Sequence, residues 1–410
     1  MKLDVRYLGI PDQPLVGSLA DDARGRIFFQ HDPAWIARGI ELSPVRLPLS
    51  LTGPVTTPTP GFSPLFGLFD DSMPDWWGQR IMRHHFTELG IPWNRVGALD
   101  KLACQGAFSM GALAYEPDLS PASFRGTLAT EVSELVAAAR QVLAGDPENL
   151  LPALVRGGLS PGGAQPKALV AFNEDFTRAT AGGGPSPQDF SLWLVKFQLD
   201  PDDPVGRAEQ AVTRMAAAAG IRTPDTRLFE TPDGLAHFLT KRFDRQPGMR
   251  PRHLHTFAGL THTPVRELID YGDLLGLCRE LTRRETEVEE AFLRAVFNIG
   301  VANDDDHARN HAFLFDPADG WRLAPAYDLT RTGYPLGSGY RAAGIDGGFS
   351  NLTPGDLRRL GRDQGVRRID GKIQRVIEAI RRWPEFAAEA GLAEGHAAML
   401  AREMPGTRWS

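Results

Sequence analysis

Cysteine is almost absent: the 410 residues hold two, Cys104 and Cys278. They lie far apart and form no motif, so a disulfide-stapled secreted scaffold is excluded and at most one bridge could form. Two buried free thiols in a reducing cytosol are the expectation. No apolar run is long enough to span a bilayer, and the first residues, MKLDVRYLGI, lack the apolar stretch of a secretion signal. A cytoplasmic protein with no membrane partner follows as the expectation. Excess basic charge is also missing. The net charge of −6 argues against nucleic-acid binding over the whole surface, though a local basic patch remains compatible with it. Both phosphate-binding glycine signatures, Walker A and G-x-G-x-x-G, are absent. His307 and His311 stand at i, i+4 as in zinc proteases, but Ala308 occupies the place of the general-base glutamate. The calcium-loop pattern lacks its glycine and its terminal glutamate.

Glycine (43) and proline (32), by contrast, are plentiful, which points to many loops between short elements. The length exceeds what one core usually serves, so a two-domain or bilobal body is expected. The most informative stretch is Val296 to Thr330, which reads as the end of an apolar helix, an acidic loop and a hairpin running into a further acid. Phosphoryl transfer needs a carboxylate near the attacking hydroxyl and oxygen ligands that hold Mg2+ on the phosphates. Asp305 and Asn310 have the five-residue spacing of the protein-kinase D-x-x-x-x-N loop, and Asp328 follows across a hairpin, where kinases place a second metal-binding Asp. Asp and Asn are also common turn residues, so the pattern needs company.

Some company comes from Gly157 to Lys167, a glycine-dense loop that could turn backbone N–H groups toward an anion. More comes from Lys196, on an otherwise apolar strand at 191–197. A buried lysine is costly unless paired, and Glu209, opening a helix over 209–219, is the expected partner. Elsewhere the pattern reads as a β-meander over residues 1–30, a helix capped by Asp32, a helix from Ser72 to Leu89 with Trp76-Trp77 as an anchor, and a strand at 111–115. Helices are expected at 131–143 and 152–156. A strand at 168–171 precedes a hairpin tip over Asn173 to Gln188, with Gly182-Gly183-Gly184-Pro185 as its core. A second hairpin turns at Pro232-Asp233-Gly234, and the strand leaving it is where a kinase hinge would lie. His253 and His255 could form a ligand pair, but ordinary loop or packing residues are the expectation. The C-terminal part is mostly helical (273–282, 285–299, 354–360, 367–382 and 393–402), with a Gly-rich segment to Ser350 expected as a mobile loop. Residues 358–382 are basic and read as a solvated face or as a patch for DNA phosphates. The expected bodies are 1–120, 121–245 and 246–410.

The order of these motifs resembles the HipA family, bacterial serine/threonine kinases that are the toxin halves of toxin–antitoxin pairs. Ser160-Pro161-Gly162-Gly163-Ala164-Gln165-Pro166-Lys167 is similar to the family's S-x-x-G-A-Q-x-K loop. Asn303 to Asn310 resembles its catalytic loop, Pro325-Ala326-Tyr327-Asp328 its metal-binding P-x-Y-D, and Arg242-Phe243-Asp244-Arg245 its R-F-D-R. The resemblance implies an α+β, bilobal, protein-kinase-like fold with a mixed N-lobe, a mainly helical C-lobe and ATP between them. It implies that Asp305 is the catalytic base and that Asn310 and Asp328 bind Mg2+. Ser160, Gly162, Gly163, Ala164, Lys167, Lys196 and His307 would join Asn310 and Asp328 around ATP, with Ser160 the site of autophosphorylation. Lys241 and Pro166 each replace a usual glutamate. The implied partners are a protein substrate such as an aminoacyl-tRNA synthetase and a HipB-like antitoxin, with DNA reached through the antitoxin. Two alternatives stay open: a small-molecule kinase of the same fold, and a kinase-fold corepressor.

Overall fold

Leu3, Val5 and Tyr7 alternate with polar residues, and all three are fully buried. They sit on β1 (Lys2–Tyr7), which pairs antiparallel with β2 (Leu15–Asp21), itself paired with β3 (Ile27–His31). This is the expected meander. β4 (Leu113–Glu116) closes the other edge, giving the order β3-β2-β1-β4. Gly17 faces Val5 across the ladder. A Cβ there would lie 2.2 Å from the Gln30 carbonyl and 2.6 Å from the Phe29 ring, so only glycine lets these strands close on their core.

The computed structural model describes residues 1–120, 131–144, 165–182, 189–245, 250–332 and 339–409. The chain divides into two units. One comprises Met1–Leu199, Leu239–His262 and Leu314–Asp319; the other comprises Asp200–Phe238, Thr263–Phe313 and Gly320–Ser410. Strands and helices of both kinds make the fold α+β, as expected. No helix among the described residues is long and apolar enough to cross a membrane. Both cysteines are buried and free, and burial pushes each thiol up to about 12.

In the first unit, Asp32 caps the Pro33–Arg38 helix by accepting from Ala34 N at 2.8 Å. The next expected helix starts later than its sequence suggests. Asp75 accepts from Gly78 N at 2.7 Å and so caps a helix over Trp76–Glu88, leaving Ser72 to Pro74 outside it. Of the tryptophan pair, Trp77 is fully buried while Trp76 is 53% exposed. Trp77 Nε1 donates to the Lys167 carbonyl at 2.8 Å. Lys167 begins β5 (Lys167–Phe172), which lies between β6 (Ala179–Ala181) and β7 (Ser191–Lys196), all antiparallel. The reversal falls at the start of the expected tip over 173–188. Asp175 accepts from Asn173 Nδ2 at 2.6 Å and Thr177 N at 3.1 Å, a side-chain turn that bends the chain at once after β5. Gly182 N still donates to Leu169 O at 2.7 Å, so Gly182 runs along β5 and is not the tip. Residues 183–188 and the helix expected at 152–156 lie outside the described residues.

His253 and His255 are on a buried strand, His253–Thr256, not a loop. The Asp71 carboxylate accepts from His255 Nδ1 at 2.6 Å, Thr256 N at 2.7 Å and Thr256 Oγ1 at 2.7 Å. His255 Nε2 lies 2.9 Å from Ser43 Oγ. The order Ser–His–Asp is that of a hydrolase triad, but Ser43 is 2% exposed and His255 is fully buried. No substrate reaches them, and the network is a strut. The Arg-Phe-Asp-Arg motif is a second one. Asp244 accepts from Arg242 Nε at 2.6 Å and Gly111 N at 2.8 Å. Arg245 Nη2 donates to the carbonyls of Ala107, Ser109 and Gly111 at 3.0–3.1 Å.

In the second unit the Glu285–Gly300 helix is buried along most of its length and packs on the Tyr271–Thr282 and Ile369–Arg381 helices. The Val205–Ala218 helix begins a turn before its expected start, so Glu209 lies inside it and is 4% exposed. The Gly-rich segment before Ser350 is not wholly a loop. Ala343–Gly344 pairs in parallel with Ile269–Asp270, and Arg341 to Ile345 are buried; residues 333–338 lie outside the described residues. Much of the basic segment is neutralised locally. Arg358 pairs with Asp370, Arg359 with Asp346 and Asp356, Lys372 with Glu289, and Arg382 with Glu385.

Replacing Asp71 by Ala strips three buried donors of their acceptor. We expect a loss of about 3–5 kcal/mol, the usual cost of breaking a buried charged network, measured by urea unfolding. A loss below about 1 kcal/mol would show that the strut is dispensable. Acid should weaken the same region. Burial pushes His253 down to about 3 and His262 down to about 4, whereas the unfolded chain protonates both near 6.5. The unfolded state therefore binds more protons below about pH 6.5, and stability present above that pH is lost as pH falls toward the folded values. The urea midpoint should drop steadily from about pH 7 to about pH 4.5; a flat profile would mean that the histidines protonate in place.

Candidate active site

Three consecutive aspartates follow the Glu285–Gly300 helix, and they are not equivalent. Asp304 and Asp306 are 9% and 2% exposed, while Asp305 between them is exposed. Asp306 is turned inward. Asn298 Nδ2 donates to its Oδ2 at 2.7 Å, the Tyr271 hydroxyl donates to the same atom, and His311 Nε2 lies 3.2 Å from Oδ1. Burial works to raise this carboxyl, but His311, Tyr271 and Arg341 outweigh it and hold it below the usual carboxylate range. Asp304 is tied through its carbonyl, which accepts from Ala342 N at 2.7 Å. Its carboxylate lies 3.5 Å from Arg341 Nη1.

With its neighbours anchored, Asp305 presents its side chain outward on a fixed backbone. Asp305 N donates to Thr332 Oγ1 at 3.1 Å. Its carbonyl accepts from His307 N at 2.9 Å and from Asn310 Nδ2 at 3.1 Å. Partial desolvation raises its pKa above the ordinary aspartate value; His307 opposes the rise, and the negative charges of Asp328 and Asp306 add to it. The Asn310 amide nitrogen is used on Asp305, so the amide oxygen is the atom that could ligate a cation.

Asp328 reaches the same loop by a short path. The hairpin Ala312–Asp316 and Gly320–Leu323 is followed by a stitched segment. Ala324 N donates to Ala312 O at 2.9 Å, Ala326 N to Arg222 O at 2.7 Å, and the Tyr327 hydroxyl to Arg309 O at 2.6 Å. Asp328 itself has φ +53°, and Ala302 at the head of the loop has φ +56°. Left-handed backbone costs a non-glycine residue about 1–3 kcal/mol and clusters at functional sites. The structure thus brings Asp305, Asn310 and Asp328 into one constellation. Two carboxylates that repel each other, beside an amide oxygen, suit a hard cation such as Mg2+, which keeps several waters. Among the described residues no group of three or more His, Cys, Asp or Glu side chains is arranged to hold a metal ion. The His307–His311 zinc reading gains nothing, since His311 Nε2 is engaged by Asp306.

The lysines belong to the first unit. Lys167 and Lys196 stand directly opposite each other on β5 and β7 and are 1% and 7% exposed. Like charges so placed repel. Asp75 answers one of them, with Oδ2 2.5 Å from Lys167 Nζ. Burial raises the Asp75 carboxyl, and Lys167 opposes the rise. Sequence reasoning missed Asp75, whose only signal was a Pro-Asp pair opening a helix. It also missed the roles of Tyr271, Asn298 and Arg341. Ser160, Gly162, Gly163 and Ala164 lie outside the described residues.

The two adjacent aspartates should separate experimentally. Asp306→Ala leaves Tyr271, Asn298 and His311 without their buried acceptor and should cost about 3–5 kcal/mol. Asp305→Asn should change stability by no more than about 0.5 kcal/mol. Equal losses in chemical denaturation would mean that the inward and outward assignments are wrong.

Comparison with known proteins gives a consistent result. A model of the HipA-like C-terminal domain matches residues 159–405, and one of the HipA N-terminal domain matches residues 10–116. A Sinorhizobium fredii protein named putative kinase Y4mE is 26% identical over 409 residues, covering 95% of this chain and 87% of its own. A putative kinase of Haemophilus influenzae is 23% identical over 191 residues, 42% of this chain and 52% of its own. Among solved structures, the Shewanella oneidensis toxin–antitoxin complex of HipA, HipB and operator DNA offers a chain that matches with a TM-score of 0.70 at 19% identity. That match covers 99% of this chain and 97% of the other. The family models span most of the sequence and the fold agrees along nearly all of it: the chain belongs to the HipA family.

Proposed function

We propose that this protein is an ATP- and Mg2+-dependent serine/threonine protein kinase, the toxin of a type II toxin–antitoxin module. The observation that carries the reading is the exposed Asp305 held between two buried aspartates, with Asn310 bonded to its carbonyl and the charge of Asp328 acting on it. The relatives named putative kinases support it. Asp305 accepts the proton of the attacking hydroxyl, and its raised pKa makes it a better acceptor than an ordinary aspartate. Asn310 and Asp328 would hold Mg2+, which when bound neutralises charge on the phosphates. Lys196 and Lys167, with the loop carrying Ser160, Gly162, Gly163 and Ala164, position the nucleotide. His307 lies two residues after Asp305, donates its N–H to the Asp305 carbonyl at 2.9 Å and joins that contact set. Ser160 is the autophosphorylated residue.

The substrate is a translation component such as an aminoacyl-tRNA synthetase. The Shewanella protein was solved with HipB and operator DNA, and a HipB-like antitoxin is the partner proposed here, with DNA reached through it. The local ion pairing of residues 358–382 weakens the case for direct DNA contact by that segment. Cytoplasmic residence goes with this role.

The test is incubation with γ-labelled ATP and Mg2+. Wild type should label itself at Ser160, and Ser160→Ala should not. Asp305→Asn should lose phosphoryl transfer by about 10²–10⁴-fold, the contribution of a positioned base, while still binding ATP. Undiminished turnover in Asp305→Asn would refute the catalytic assignment. Label mapped away from Ser160 would refute the self-modification.

A further inference from the structure

Behind the loop that carries Asp305, on the side where Asp304 lies, the second unit contains a cavity of about 490 Å³. That is within the range of small-ligand sites, roughly 300–1,000 Å³. Its lining is amphipathic. Ile299, Leu352 and Trp409 contribute apolar surface, and Arg331, Arg341 and Arg408 contribute guanidinium groups. Asp304 and Glu403 supply two carboxylates against these three cations, and both are already engaged, with Arg341 and Arg331. Arg408 donates to the Arg402 carbonyl at 2.8 Å. The Nε of Arg331 is buried and has no hydrogen-bond partner among the described residues. A buried guanidinium donor without an acceptor is costly, and an anion in the cavity would supply one.

Two of the arginines also lie on the straps that hold the loop. Arg331 directly precedes Thr332, whose N donates to Ala302 O at 3.1 Å and whose Oγ1 accepts from Asp305 N at 3.1 Å. Arg341 Nη2 donates to Asn303 O at 3.2 Å, and the next residue, Ala342, donates to Asp304 O at 2.7 Å. Anything that fixes these two arginines fixes residues 302–305 from both sides.

We propose that this cavity binds a small anion with a flat apolar body, an aryl phosphate or an aryl carboxylate, and that its occupancy stiffens the loop bearing Asp305. The anion bridges Arg331 and Arg408, and the ring lies against Trp409 and Leu352. The site is separate from the constellation of Asp305, Asn310 and Asp328, and no covalent step is involved. A ligand bound there regulates the centre by restraining its backbone, a coupling between two sites through shared straps.

The test uses full-length protein labelled with 5-fluorotryptophan, with the Trp409 resonance assigned through Trp409→Phe. Phenyl phosphate and benzoate are titrated separately, with inorganic phosphate and benzyl alcohol as the ring-free and charge-free probes. Either aryl anion should shift the Trp409 resonance, and the stronger of the two identifies the head group. Arg331→Gln and Arg408→Gln should each weaken binding by about tenfold or more, the loss of one charge-assisted hydrogen bond. Hydrogen exchange of the amides at 303–305 should slow severalfold with ligand in wild type and stay unchanged in Arg331→Gln. No shift with either aryl anion, equal affinity for benzyl alcohol, or full affinity in both arginine variants would overturn the site. Binding without slowed exchange would overturn the coupling. These readouts do not depend on phosphoryl transfer, so an aryl anion that binds and slows exchange in a protein that moves no phosphate refutes only the kinase reading.

Discussion

The active-site loop depends on one buried carboxylate. Asp306 carries a charge into the interior of the second unit, where an isolated ion would cost several kcal/mol. It is tolerated because Tyr271, Asn298 and His311 converge on it. That convergence fixes the direction of the chain at 306. With 304 held by Arg341 and Ala342, the residue between must point the other way. The exposure of Asp305 is thus a consequence of what its neighbours bury. A run of three aspartates that looks redundant in sequence is one exposed carboxylate between two anchors.

The first unit meets a like-charge difficulty of its own. Register places Lys167 opposite Lys196, and an antiparallel ladder points directly opposed side chains to the same face. Asp75 offsets the repulsion at one of the two, and the same carboxylate caps the Trp76–Glu88 helix. Trp77 adds a bond to the Lys167 main chain. The first turn of one helix therefore holds both the side chain and the backbone of the residue at which β5 begins. The Arg-Phe-Asp-Arg motif works by similar means, spending its charges on the backbone of residues 107–111 and not on chemistry.

What was legible in the sequence was local. Period-two alternation placed β1, the spacing of Asp305 and Asn310 survived as a hydrogen bond, and Asp32 capped its helix. Boundaries slipped where a side chain intervened. Asp75 moved a helix start, and Asp175 confined the reversal to the first residues of the expected 173–188 tip. Tyr271 as a partner of Asp306, and Asp75 and Trp77 as partners of Lys167, were not legible, because they come from far away. Tyr271 is 35 residues from Asp306, and Trp77 is 90 from Lys167. Nothing in composition or periodicity links such positions; only the packed fold does. The histidines at 253 and 255 pack in the interior, as one of the expected readings had it, but their partners on Asp71, Leu42 and Ser43 were not legible for the same reason.

The electrostatics of the loop explain why its strained backbone is worth keeping. Asp305 and Asp328 would relax apart if the chain allowed it, since each disfavours the charge of the other. Their separation is instead set by Asn303, which donates to the Asp328 carbonyl and holds Asn298, and by the left-handed turns at Ala302 and Asp328. The backbone thus keeps the charge of Asp328 within electrostatic reach of Asp305. The same arrangement raises the proton affinity of Asp305 while it waits. The proton affinity of Asp305 is therefore tied to the backbone restraints at Ala302, Asn303 and Asp328, and a substitution that loosens Asn303 would lower it.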